Sequence, residues 1–159
     1  MKKLSLILCG LLVLFTLSAQ QKKSGISVSL PEGWAKVEGS VLEHQYLKNG
    51  ASFMIKEETA LNGKSLNDAV AMAKQQIGKY FKDYKLLKEE KITVDGKDAK
   101  SITYNYSAQA GKITLKMTMH TVYVMVNGKC QTLSFGSTTS QFNSLMPDIQ
   151  YIIKNVKFR

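Results

Sequence analysis

Arginine is almost missing from this 159-residue chain: of 22 basic residues, only Arg159 carries a guanidinium. Arginine forks are the usual readers of bases and phosphates, so specific nucleic-acid recognition is not expected despite a formal net charge of +10. Cysteine is equally scarce, with Cys9 in an apolar leader and Cys130 far downstream. No intrachain disulfide can then form in the mature chain, so the fold must hold by packing. Cys130, flanked by Lys129 and Gln131 at the start of a strand, is expected to be a buried, inert thiol. The only histidines, His44 and His120, lie far from each other and from Cys130, without the close ligand spacing of a zinc site. No metal and no cofactor are expected. His120, between strand residues, is expected at a sheet edge or facing solvent.

Catalytic motifs are missing too. There is no Gly-x-Ser-x-Gly elbow, and Ser134 sits in a strand pattern rather than a strained turn. The adjacent pairs Glu57-Glu58 and Glu89-Glu90 would point to opposite faces if they lie in strands. No catalytic residue is assigned, and a non-enzyme is expected.

A long apolar run occurs only at the start. Lys2 and Lys3 precede Leu4 to Leu17, interrupted by Ser5, Cys9, Gly10 and Thr16, and Ser18-Ala19 follows. This reads as a signal peptide, residues 1–19, cleaved after Ala19 to expose Gln20. The run falls short of the roughly 18 apolar residues of a spanning helix, and no second one follows. A lipid anchor at Cys9 is not expected, because Leu8 stands where a lipobox needs a small residue. Export leaves about 140 residues, one domain's worth, with 20 basic residues against 12 acidic. A periplasmic or secreted address follows.

The mature chain opens with a short polar tail, residues 20–24, and a single domain over residues 25–158. Ile26, Val28 and Leu30 alternate with serines as in a half-buried strand, ended by Pro31-Glu32-Gly33-Trp34. The lone tryptophan is expected to be substantially buried. Val41 to Leu47 and Ala51 to Glu57 flank Asn49-Gly50, a hairpin turn. Ser65 opens a helix with its apolar stripe at Leu66, Val70, Ala73, Ile77, Tyr80 and Phe81. Four strands follow: Tyr84 to Val94, Asp98 to Ala108, Ile113 to Val126 and Cys130 to Phe135. Asp95-Gly96, Gly111 and Asn127-Gly128 supply their turns. A second apolar-periodic segment, Phe142 to Ile153, contains Pro147, which predicts a kink or a fresh helix beginning there. The fold class is α+β, a single antiparallel sheet of six to seven strands covered by two helices.

Leu30-Pro31-Glu32-Gly33-Trp34 after an opening strand, the central helix, the hairpin Val94-Asp95-Gly96-Lys97-Asp98-Ala99, and Leu133-Ser134-Phe135 before a closing segment ending Asn155-Val156-Lys157-Phe158 together resemble the PsbP-like superfamily. That superfamily includes PsbP and bacterial DcrB-like proteins. The resemblance spans nearly all of the mature chain and implies an antiparallel sheet with helices on its faces, used for binding or assembly rather than catalysis. It carries over no functional residue.

Lys82, Lys85, Lys88 and Lys91 are interleaved with Asp83, Glu89 and Glu90, which reads as a solvated face with weak attraction for anionic headgroups or an acidic protein. A candidate binding surface is instead the row Met117, Met119 and Tyr123 on one strand beside Tyr104 and Tyr106 on its neighbour. Methionine and tyrosine make adaptable, amphipathic contacts, though such rows also pack as core. The expected function is a non-catalytic, exported binding or assembly module of the cell envelope. Its partner would be an envelope protein or an anionic membrane surface. The alternatives are a carrier of a small apolar ligand or lipid in a Met/Tyr-lined groove and, third, a hydrolase.

Overall fold

The computed structural model describes residues 24–159. The leader, its cleavage site and most of the polar tail lie outside the described residues. Among those described, the strands are β1 (Ile26–Ser27), β2 (Ala35–Lys36), β3 (His44–Lys48), β4 (Ala51–Glu57), β5 (Lys82–Val94), β6 (Lys97–Ala110), β7 (Ile113–Val126), β8 (Lys129–Thr138) and β9 (Lys157–Phe158). Helix α1 (Leu66–Tyr80) falls between β4 and β5, and α2 (Thr139–Asn155) between β8 and β9.

Seven strands form one antiparallel sheet in the order β2-β3-β4-β8-β7-β6-β5, and β1 pairs separately with β9. The turns follow from their residues. Asn49-Gly50, Asp95-Gly96 and Asn127-Gly128 all take positive φ at both positions, the geometry that matches the right-handed twist of a two-residue hairpin. Ser65 caps α1 by accepting from the Asp68 amide at 3.1 Å and donating to its carboxylate at 2.7 Å.

Each helix covers one face of the sheet. Beneath α2 lie Phe53, Ile55, Val122, Val124, Leu133 and Phe135, sealed by Phe142, Leu145, Ile149 and Ile152 of the helix. The Phe53 and Phe135 rings, cross-strand partners, stack with centroids 4.5 Å apart. Beneath α1 lie Ile102, Tyr104, Tyr106, Met117, Met119, Tyr123 and Cys130, met by Ala69, Val70 and Ala73. Cys130 is buried, as expected for a structural thiol.

The Pro-Glu-Gly-Trp step proves to be a clamp. Trp34 Nε1 donates to Asp148 Oδ2 on α2 at 2.8 Å, and Lys48 Nζ reaches the same oxygen at 2.7 Å. Gly33 has φ of 92°, and a Cβ there would sit 3.2 Å from Lys48 Cε. Trp34 itself is half-buried, its ring edge-on to Phe53 at 6.2 Å.

Three expectations are corrected. The opening strand does not run to Leu30, because only Ile26 and Ser27 find partners, in Phe158 and Lys157. No new helix starts at Pro147; α2 runs through it. Pro147 and Asn143, whose carbonyl loses its intrahelical donor, both face solvent, where water can replace the missing bond. His120 is neither at an edge nor solvent-facing. It lies on β7, an interior strand, and is only 7 % exposed.

Candidate functional site

The five residues read as a binding surface do gather. In register, Tyr104 faces Met119 and Tyr106 faces Met117 across β6 and β7, with Tyr123 further along β7. They are not an open surface, however: all five are between 1 and 5 % exposed, covered by α1. The helix approaches closely because its inner residues include Ala69 and Ala73. Phe81 closes on Tyr106 at 4.5 Å and Tyr84 on Tyr104 at 5.5 Å. Burial pushes the Tyr106 hydroxyl up to about 12 and likewise raises Tyr104 and Tyr123. Strand alternation identified the shared face but could not show that α1 would occupy it.

The reactive side chains are similarly enclosed. Burial pushes the Cys130 thiol up to about 11, so it is not a thiolate at neutral pH. His44 Nε2 lies 3.1 Å from the Ile26 carbonyl and Nδ1 3.1 Å from the Tyr46 hydroxyl. The carbonyl can only accept, so the neutral ring carries its proton on Nε2 and accepts from Tyr46 at Nδ1. His120 Nδ1 lies 2.8 Å from Thr103 Oγ1. Desolvation lowers both imidazoles below their ordinary 6.5. Among the described residues, no three His, Cys, Asp or Glu side chains gather as metal ligands.

Among the described residues, the far end of the sheet offers a surface open to a partner. β5 is an edge strand of 13 residues, and positions 85–91 along it are all exposed. Its acids are already neutralised. Glu89 bridges Lys74 and Lys100, Glu90 pairs with Lys88 at 2.9 Å, and Asp83 meets Ser107 at 2.6 Å and Lys116 at 3.4 Å. These contacts hold Glu89 and Asp83 below the usual carboxylate range. Lys82 acts on the neighbouring Asp83 through space, whereas Lys85 and Lys91 form no ion pair among the described residues. Between them Leu86 and Leu87 are 37 and 48 % exposed.

Charge is segregated accordingly. Residues 24–68 carry four lysines against six acids, whereas residues 69–123 carry ten against five. The sequence held a signal for this site that alternation alone overlooks. Two adjacent leucines in a strand cannot both face one core, and the register shifts between Leu86 and Lys88 to accommodate them.

The DcrB family model matches residues 27–147. No curated protein matches the chain. Among solved structures, LpqN of Mycobacterium tuberculosis, described as involved in cell envelope biogenesis, is 12% identical with a TM-score of 0.61, covering 83% of this chain and 82% of its own. The Ran-binding protein Mog1p of Saccharomyces cerevisiae is 12% identical with a TM-score of 0.60, covering 84% and 89%. Cyanobacterial PsbP from Synechocystis is 13% identical with a TM-score of 0.53, covering 89% and 91%. At such identities the likeness is one of fold, a PsbP/Mog1-like α+β sheet.

Proposed function

Because this chain belongs to the DcrB family, with the fold of PsbP and Mog1p, we propose that it is an exported, non-catalytic binding module that holds a partner protein at the cell envelope. What supports this most is the segregation of charge: the β5 end of the sheet presents Lys85 and Lys91, which form no ion pair among the described residues. Such cations steer an encounter over about one Debye length, roughly 8 Å in physiological salt, but hold it weakly. An apolar anchor is needed as well, and Leu86 and Leu87 stand beside them. His44 and His120 are hydrogen-bonded and Cys130 is buried, so none of the three is presented at this end. The apolar leader fits an envelope address, as does the description of LpqN. A carrier that used the Met/Tyr layer would first have to displace α1.

The test places a photo-reactive residue at position 88 on β5 or at exposed position 36 on β2, in cells that make the protein. The expected result is an exported chain beginning at Gln20 that cross-links an envelope protein from position 88 and not from position 36. Yield should fall as salt rises from about 50 to 500 mM. Retention in the cytoplasm, equal cross-linking from both positions, or turnover of a substrate lost on substituting one carboxylate or His120 would overturn the reading.

A further inference from the structure

Resting on that reading, we propose how the partner is held: an extended acidic segment adds to the free edge of β5 as an eighth strand of the sheet. β5 pairs with β6 on one side only. From Lys88 to Val94 its register with β6 is one-to-one, Lys88 opposite Thr103 through Val94 opposite Lys97. This stretch offers a regular row of outward backbone donors and acceptors to an incoming strand.

The unneutralised lysines flank that edge from both sides. Lys85 is in register with Asn105, whose side chain bonds Thr118 on the α2 face. Lys91 is in register with Lys100, whose ammonium meets Glu89 and, through it, Lys74 of α1 on the other face. Cations above and below the plane of the sheet suit a ligand lying in that plane, with carboxylates projecting alternately up and down as a strand's side chains do. A flat bilayer meets only one face at a time. A second copy of the chain is disfavoured, because antiparallel pairing of two β5 edges centred on the regular stretch Lys88 to Val94 would set Lys91 against Lys91 and bring two basic edges together. The register shifts at Lys82/Lys85 and Leu86/Lys88 confine regular pairing to the later half of the strand. Leu86 and Leu87 at its start can receive one apolar side chain of the incoming segment. Lysines and bulges that keep an edge from pairing with itself thus leave it selective for an acidic strand.

Binding of the exported chain to a fluorescent peptide of Glu-Glu and Val-Val pairs around one Leu, which sets carboxylates on both faces of a strand, is read by anisotropy and tests this. Binding is expected, with amide exchange slowed within residues 88–94. Lys85→Glu/Lys91→Glu should weaken it at least tenfold, as should Leu87→Asp alone. A peptide of equal charge with Pro at alternate positions, which cannot donate to a ladder, should not bind. Melting curves establish that the variants fold, and Lys85→Gln/Lys91→Gln replaces the reversal if it does not. Equal binding of the proline peptide, indifference to the lysine variants, or binding to phosphatidylglycerol vesicles in place of the peptide would overturn strand addition. If the reversed variant still cross-links the native partner from position 88, strand addition fails while the binding-module reading stands. If the wild-type chain cross-links nothing, that reading fails first.

Discussion

The two faces of the sheet are built from different materials. Beneath α2 the core is phenylalanine and branched aliphatics, with Phe53, Val122, Val124, Leu133, Phe135 and Ile152 all inaccessible. Beneath α1 tyrosine, methionine, alanine and one thiol predominate beside Leu61, Val70 and Ile102. Aliphatic and phenyl side chains settle into well-defined rotamers, whereas methionine is unbranched and fills irregular gaps. On the α1 face Met119 Sδ lies so close to Gly136 that a Cβ there would overlap it. One sheet therefore combines a tightly specified layer with an adaptable one, and substitutions should respond differently on each.

The largest difference is expected at Phe135. Phe135→Ala removes the centre of the stacked pair and should cost about 3–5 kcal/mol. Met117→Leu on the other face, volume-conserving, should cost less than about 1.5 kcal/mol. Urea denaturation of both variants checks this, and equal losses would mean that the contrast between the layers has no energetic weight.

The clamp at Trp34 comes next. Trp34→Ala should lose about 2–4 kcal/mol, below the full range for a buried aromatic because the ring is half-exposed. Trp34→Phe, which keeps ring packing but not the bond to Asp148, should lose about 1–2 kcal/mol. A Trp34→Ala variant melting with the wild type would detach this motif from the α2 layer.

Acidity should act more gently, and chiefly on the α2 side, where His44 and His120 both lie. Burial lowers both imidazoles below 6.5, so the unfolded chain takes up protons before the folded one. Stability is therefore complete above 6.5 and declines as pH falls through 6.5 toward the lowered folded values. A second decline belongs to Glu43, Glu57 and Glu89, whose values are lowered from 4.5 and whose stabilising contribution is lost at still lower pH. Denaturation at stepped pH should show the first decline flattened in His120→Gln. An unchanged slope would place the effect elsewhere.

The smallest effect on stability is expected at the β5 edge. Lys85→Glu/Lys91→Glu should shift unfolding by no more than about 0.5 kcal/mol. A larger loss would make the basic end part of the core's support rather than a free surface.

Much of this architecture was legible in the chain, and its exceptions have physical causes. Asn-Gly and Asp-Gly turns set the hairpins, and the stripe from Leu66 to Phe81 set α1, because turn chemistry and amphipathic period act locally. Alternation places Tyr104 and Met119 on one face, but which faces become covered depends on where α1 docks. For that reason the Met/Tyr row looked available to a partner and His120 looked solvent-facing. Ile26 to Leu30 alternates convincingly, yet strand length requires a neighbour, and β9 supplies only two residues. The β5 edge was visible as a run of lysines, but its being an edge is a property of strand order alone.

That strand order also sets a sequence of events in time. β5 to β8 pair as successive hairpins, each closing over a short turn, whereas β4 joins the sheet only by finding β8, as Phe53 finds Phe135. Loop-closure entropy makes the distant pairing the costly one. A chain released from its leader is thus expected to assemble the later hairpins rapidly and then wait for the β3–β4 hairpin to dock. During that interval β8 is a second open edge, apolar where β5 is charged, and a chaperone that shortens the wait would protect this strand above all others.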